Sequence, residues 1–551
     1  MMAQRAGAFQ TLLSSAIKKA PGHASPAPGS AGVLAARRKA ASARSASSFA
    51  ASNKHFQAGD PRNCHRSGDR FAGCCLIAVL TTGLWIIWRG RFVPSLDYPM
   101  WAREGWILSE FLRGSGNALY HVKNYPVPNS VITVALAVLD LVLAPELSAK
   151  IVFSLSLGLL AFGVVYLINS LAASGRGAGA VIGLSLVLGR WVFLGSLSYL
   201  LGLGLVCIFA GSLLRRGESA ANVSSLYLAA WFLALFFVHF TVLPAAVAVA
   251  GSVIVRVEGR QGIVKLLTAI APAALLSADF ALHAGAHSGR LVAVYEPALW
   301  QPWSYRILGG ELLFTLAPIH ALDPVTPATL IGVEAAAGLN AAWLMLVLLL
   351  AGVCLLGGLK RPELRSAAIG GILCAVLVVA CGRQLASGDF GNRLVFPAVL
   401  MGLACFSVDF APAVERPAYA ALRVLGGAVI LVQVLYLFGT LGKLDSVFAA
   451  EYAEMRGSSS RSEFCARYAS QFTDTRFQTM AQKLRHPWLV PFTPLRRTIP
   501  QYLALEDPKF DALLPINTVG ILATSNSAAC WPEAKMPASD ESPHSTKFTR
   551  L

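Results

Sequence analysis

The stretch FVPSLDYPMWAREGWILSEFLRGSGNALYHVKNYPVPN, Phe92 to Asn129, decides how this chain is read. One apolar run of membrane-spanning length ends just before it and another begins where it stops. The stretch itself is too polar to cross a bilayer. It carries Asp97, Glu104, Glu110, His121 and Lys123. Trp101, Trp106, Ile107 and Phe111 recur at helical spacing, so residues 100–113 are expected to form a short amphipathic helix lying at the membrane surface. YPVPN (Tyr125–Asn129) is expected to turn the chain back into the bilayer. The loop is therefore read as the element that carries chemistry, and the apolar runs around it as its frame.

Composition supports that frame. Across 551 residues the chain is 55% hydrophobic and 14% charged, with a mean hydropathy of +0.58. Soluble globular chains are about one quarter charged. The deficit lies between about Arg70 and Lys443, which marks a polytopic helical membrane protein. The net charge of +17 is mostly a tail effect: residues 1–70 hold eleven Lys or Arg against Asp60 and Asp69, whereas residues 444–551 hold twelve basic and eleven acidic residues. This balance speaks to orientation and anionic lipid rather than to nucleic acid. Of the ten cysteines, Cys74, Cys75, Cys207, Cys354, Cys374, Cys381 and Cys405 lie in or beside apolar runs and read as small buried hydrophobes. No Cys/His spacing matches a zinc site. Cys465 and Cys530 lie in the polar C-terminal part and could pair in an oxidising compartment.

Taken in order, residues 1–70 are rich in Ala, Ser and Arg and read as a disordered basic cytoplasmic tail; an organelle transit peptide or an overextended start share that composition. Spans are expected at Phe71–Trp88, Asn129–Leu143 and Lys150–Ala172. SGRGAG (Ser174–Gly179) is a loop. Residues 180–214, interrupted near Arg190 and again at Gly195–Tyr199, read as a short broken segment followed by one full span. Leu226–Val255 reads as a tight helical pair, followed by Ile263–Leu282, a long loop over 283–327, then Thr329–Leu359, Leu364–Gly382, a polar loop over 383–393, Leu394–Phe410 and Ala418–Gly442. The domain plan is a membrane part over 71–443 and a soluble extracytoplasmic region over 444–551. It makes an all-α membrane protein of about eleven transmembrane helices, within a range of about ten to thirteen. With the N-terminus inside, Arg215, Arg216, Arg256, Lys265, Lys360 and Arg365 all fall in cytoplasmic loops. The 92–129, 283–327 and 383–393 loops then share the opposite face with the C-terminal region.

That face gathers the candidate chemistry: Asp97, Glu104, Glu110, His121, Lys123, His239, His287, Arg290, Glu296, Arg306, His320, Asp323, Asp389 and Arg393. A carboxylate at the membrane boundary can act as general base for a hydroxyl. Arginines beside it can hold a phosphate with paired donors. Asp97 follows a span directly, where an acid is costly unless used. Glu104, Glu110 and Arg113 also fit a solvated helix face, and His239 also fits a helix–helix contact.

This order of parts resembles the GT-C superfamily of integral membrane glycosyltransferases: a first span, an acidic first loop with an interfacial helix, a long series of spans and a soluble C-terminal part. WVFLGSLSYLLGLGLVCIFAGSLLRR (Trp191–Arg216) is similar to the Gly-rich mid-chain span of uncharacterised bacterial members, and GNRLVFPAVL (Gly391–Leu400) to their late loop entering a span. The resemblance covers roughly residues 71–443. It implies a multi-pass protein of the bacterial inner membrane that transfers sugar from a polyprenyl-phosphate donor on the extracytoplasmic face. It implies Asp97 as the catalytic acid residue of the first loop and Arg393 as a donor-phosphate contact. Lys123, Arg306, His239, Glu104 and Glu110 are the further substrate-binding candidates. The paired acids of several member families are missing, since Tyr98 follows Asp97. A divalent metal is therefore left open, with no ligand assigned. A transporter or flippase, or a non-catalytic membrane protein, is the alternative; a transporter would need ionisable residues facing one another near mid-bilayer.

Overall fold

The structure, a computed structural model, describes residues 61–116, 118–123, 125–171, 175–288, 316–319, 333–380, 390–406, 412–473, 498–514, 521–523 and 530. Its helices are α1 (Pro61–Trp88), α2 (Tyr98–Leu112), α3 (Ser130–Asp140), α4 (Pro145–Asn169), α5 (Arg176–Ser185), α6 (Arg190–Leu194), α7 (Leu197–Arg216), α8 (Ser225–His239), α9 (Leu243–Glu258), α10 (Arg260–Ser288), α11 (Val333–Lys360), α12 (Arg365–Ala380), α13 (Phe390–Ala404), α14 (Pro412–Arg456), α15 (Arg461–Thr473), α16 (Ile499–Glu506) and α17 (Pro508–Leu513). The strands β1 (Tyr120–Val122) and β2 (Ile521–Ala523) pair antiparallel. Among the described residues, eight helical stretches are long and apolar enough to cross a membrane. The chain is a multi-pass membrane protein of the all-α class. Ile77, Leu155, Leu267, Leu356 and Leu435 stand exposed on the outside of the bundle, where lipid tails can cover them.

Small residues let the central helices touch backbone to backbone. A Cβ on Gly163 of α4 would come within 2.6 Å of the Gly204 carbonyl on α7, and one on Gly204 within 2.8 Å of the Leu159 backbone. Without a hydrophobic drive between helices in lipid, such close van der Waals contact is what holds them together.

Contacts fix which helix ends lie together. At one end Lys150 Nζ donates to the Gly90 carbonyl at 2.8 Å, the Asp97 amide donates to the Leu194 carbonyl at 2.8 Å, and Arg393 meets His239. At the other, the Gly175 amide donates to Phe406, Arg256 Nη1 donates to the Pro362 carbonyl at 2.5 Å, and α9 packs on the turn over Gly217–Asn222. The expected pair over 226–255 is present. His239 and Val242 lie against Gly202 near the start of α7, yet α8 begins and α9 packs beside the far end of α7, so the chain reverses at Phe240–Val242.

Two expectations change. The run at 129–143 forms a helix too short to be a candidate span. α3 is eleven residues, about 16 Å at 1.5 Å per residue, against a hydrocarbon core of about 30 Å. Both its ends stay at the first end of the bundle: Asn129 Oδ1 accepts from the Phe240 amide at 2.8 Å, and Arg113 Nη2 donates to the Asp140 carbonyl at 2.5 Å. α3 lies along α2 instead, with Gly105 facing Leu136 and Ala137. Conversely, the broken segment does run the length of the bundle. It starts at Gly175 beside Phe406 and ends at Leu194 beside Asp97. Its break at 186–189 frees backbone groups, and the fully buried Gln433 of α14 donates to the Leu188 carbonyl at 3.0 Å. Buried protein thus covers what lipid could not.

The boundary drawn at 443 falls inside α14, which continues to Arg456. Most of the 283–327 loop and all of 383–389 lie outside the described residues. Cys465 and Cys530 form a disulfide.

Candidate functional site

The first loop is pinned to the end of the broken segment through the last carbonyls of that segment. The Leu96 amide donates to the Phe193 carbonyl at 2.9 Å, the Asp97 amide to Leu194 at 2.8 Å, and Trp101 Nε1 to Gly195 at 3.0 Å. Gly195 has φ +73, and a Cβ there would fall 2.2 Å from Ser95 Oγ and 2.8 Å from the Tyr98 amide. Only glycine fits this position, both for conformation and for space. Asp97 caps the N-terminus of α2 without a side-chain capping bond, so its carboxyl is left to face elsewhere.

It faces a cavity of about 760 Å³, lined also by Trp101, Glu104, Lys123, Tyr125, His239 and Arg393. Five sequence candidates, Asp97, Glu104, Lys123, His239 and Arg393, thus come together from four parts of the chain. Burial lifts the Asp97 carboxyl to about 6, while the positive charge of Arg393 works against that rise. Arg393 lies beside the packed rings of Trp191 and Tyr199, its guanidinium carbon 5.4 and 5.6 Å from their centres. The Tyr199 hydroxyl donates to the Arg393 carbonyl at 2.6 Å. Arg393 Nη1 sits 2.8 Å from His239 Nε2. Arginine can only donate, so Nε2 accepts and His239 is a neutral holder of Arg393. Its Nδ1 lies 2.8 Å from Thr241 Oγ1 and 3.3 Å from the Thr241 amide nitrogen.

Glu104 is 6% exposed, and Thr133 Oγ1 donates to its Oε2 at 3.0 Å. The solvated-face reading fails for Glu104 because α3 covers that side of α2. It holds for Glu110, which pairs with Arg113 at 2.7 Å and accepts from Ser115 outside the cavity; Glu110 is no part of this site. Lys123 stands at the rim with its Nζ 5.7 Å from the Tyr125 ring centre. His121 is exposed on β1. Arg306, Arg290, Glu296, His320, Asp323 and Asp389, and the His287 side chain, lie outside the described residues.

Sequence reasoning missed the rest of the wall. Ser196, Ser198 and Thr133 line the cavity, and nothing in a run of small polar residues near span ends marks them out. Val122 and Ile521, partners across the β ribbon, line it too. So does Trp101, which its helical spacing had placed on α2. Among the described residues no group of three or more His, Cys, Asp or Glu is placed to hold a metal ion. Asp97 and Glu104 are the carboxylates on the wall, with two cations beside them. The chain matches no protein-family model, no curated protein and no solved structure.

Proposed function

We propose that this protein is a membrane glycosyltransferase of the GT-C kind, moving a sugar from a polyprenyl-phosphate donor to an acceptor hydroxyl on the extracytoplasmic face. The reading rests on one observation: a carboxylate held near 6 and an arginine packed beside two aromatic rings meet in one cavity at the end of a membrane bundle. In the reaction the acceptor oxygen attacks the anomeric carbon of the sugar. Asp97 takes the hydroxyl proton as the new C–O bond forms. The bond from the anomeric carbon to the phosphate oxygen breaks, and the lipid phosphate leaves with its electron pair. Arg393 stabilises that charge, with Lys123 at the rim as a second cation. His239 fixes Arg393 in place. No step is routed through a metal.

The topology belongs to the same proposal. Eleven crossings follow if α1, α4, the α5–α6 segment, α7 to α13 and α14 each traverse the bilayer once. The end bearing Arg176, Arg215, Arg216, Arg256 and Lys360 is then cytoplasmic, and the end bearing Asp97 and the Cys465–Cys530 disulfide faces an oxidising compartment outside the inner membrane. Transfer is favoured over transport because the ionisable groups on the cavity wall gather at one end of the bundle, whereas carriers place theirs near mid-bilayer. Profiling of lipid-linked sugars in cells with the gene, without it, and with Asp97→Asn tests the reading. A lipid-linked donor should accumulate in the second and third strains. Identical profiles in all three, with uptake of a solute into proteoliposomes, would replace transfer by transport.

A further inference from the structure

The membrane bundle supplies most of the cavity, but its wall over the first loop is closed from the far C-terminus. β2 is the element concerned. Its Ile521 pairs in register with Val122, and both residues line the cavity. Ile521 is 1% exposed and packs with Ile107 and Tyr120 in a small apolar cluster separate from the main core. Only three residues of strand hold it there, and a two-stranded pairing of that length is not stable alone.

Two fixed points flank β2. On the N-terminal side, Arg103 of α2, fully buried, donates to Asp511 Oδ1 at 2.5 Å and to the Leu514 carbonyl at 2.7 Å, and the Tyr120 hydroxyl donates to the same Asp511 oxygen at 2.8 Å. On the C-terminal side, the Cys530 amide donates to the Leu513 carbonyl at 2.8 Å, and Cys530 is bonded to Cys465 of α15. α15 is in turn packed on α17 through Phe464 and Phe510, whose ring centres are 4.8 Å apart. The first anchor is non-covalent and belongs to the first loop. The second is covalent and belongs to the C-terminal region. Leu514 and Cys530, the described residues nearest β2 on either side, are therefore both held, which cuts the entropy lost when the strand pairs.

We propose that β2 is a binding-site element, a C-terminal wall that backs the cavity behind Val122 through Ile521, and that the Cys465–Cys530 disulfide is what keeps it seated. The part of a ligand lying against this wall meets Val122, held in place by Ile521, so it is an uncharged, apolar portion, while charged portions lie toward Arg393 and Lys123. The site is then complete only in chains whose C-terminal region has been oxidised. This inference stands on the geometry of the C-terminal region and does not depend on the transfer reaction.

The test uses the full-length protein in nanodiscs, folded with the disulfide intact and then reduced with a membrane-permeant phosphine. Mass spectrometry confirms complete reduction. Hydrogen exchange at residues 120–122 and 521–523 should accelerate at least tenfold, with α16 unchanged as the internal control. Amine labelling of Lys123, read by peptide mapping, should rise in parallel as the wall opens. The paired Cys465→Ser and Cys530→Ser variant should repeat both effects; if it fails to fold, the reduced native protein decides. Native protection of β1 and β2 after complete reduction overturns the role of the disulfide. Faster strand exchange with unchanged Lys123 labelling overturns the role of β2 as a wall.

Discussion

Burial holds the Asp97 carboxyl near 6, so at pH 7 most of the population is ionised and able to accept a proton. Below pH 6 the base is progressively lost, and the transfer rate should fall about tenfold per pH unit. Stability runs the other way. The folded state holds this proton more tightly than the unfolded chain, so stability declines as pH rises from about 4 through about 6. A shift of roughly two units sets the cost of ionisation at no more than about 3 kcal/mol. Asp97→Asn should therefore lower the rate by about a hundred- to ten-thousand-fold while raising the melting temperature at pH 7 and leaving it unchanged at pH 4. A variant that loses activity by misfolding would show the reverse melting behaviour. At Arg393, replacement by Lys should restore only part of what Ala removes, because an ammonium lacks the planar paired donors and packs less well against Trp191 and Tyr199. Donor titrations of the three proteins would show this as a raised KM for Lys and a deeper loss for Ala. These two residues were legible because each is an ion at the edge of an apolar run. Arg103 was not. Sitting beside Glu104 on an amphipathic helix, it reads as one more solvated charge, and its partner Asp511 is 408 residues away, beyond the reach of any local pattern.

Gly195 shows how an element break can be structural and functional at once. The interruption near residues 189–199 was visible as polar and small residues inside an apolar run. Its purpose was not visible, because the reason is a backbone contact with the first loop at Ser95 and Tyr98. Gly195→Ala combines a positive φ with a Cβ placed on that loop, and should cost about 1–3 kcal/mol of local stability. The loss should concentrate in α2, so protease sensitivity in residues 92–113 should rise while the long helices stay protected. Uniform protection would show that the loop seats without this contact. The misreading of α3 has a different cause. Eleven mostly apolar residues ending at Asp140 have the composition of a span but not the length, and hydropathy cannot tell a short crossing from a helix lying beside another. Composition also could not show that the broken segment runs the length of the bundle, since its break is covered by Gln433, from a distant helix, meeting the Leu188 carbonyl.

At the scale of the whole molecule, the first loop and the C-terminal region are one assembly on one end of the bundle. Cysteine labelling at Ser115 and Ser219, with Cys74 replaced by Ala, should report opposite sides of the membrane; same-side labelling would undo the topology. The assembly itself turns on the buried pair of Arg103 and Asp511, both fully enclosed. Two ions removed from water repay their desolvation only through mutual attraction and added hydrogen bonds. Here Gln501, Tyr120 and the Leu514 carbonyl supply those bonds. Removing one partner strands a buried charge. Arg103→Met or Asp511→Leu alone should cost about 3–5 kcal/mol, whereas an apolar replacement of both should cost far less, since no uncompensated ion remains. A double-mutant cycle on thermal unfolding measures the difference as the coupling energy between α2 and the C-terminal region. If the double variant is as unstable as the sum of the singles, the pair does not couple the two parts. If it recovers stability but loses activity, the pair is kept to set the register of β2 on β1, because Tyr120 shares the same Asp511 oxygen and would lose its partner in the apolar version.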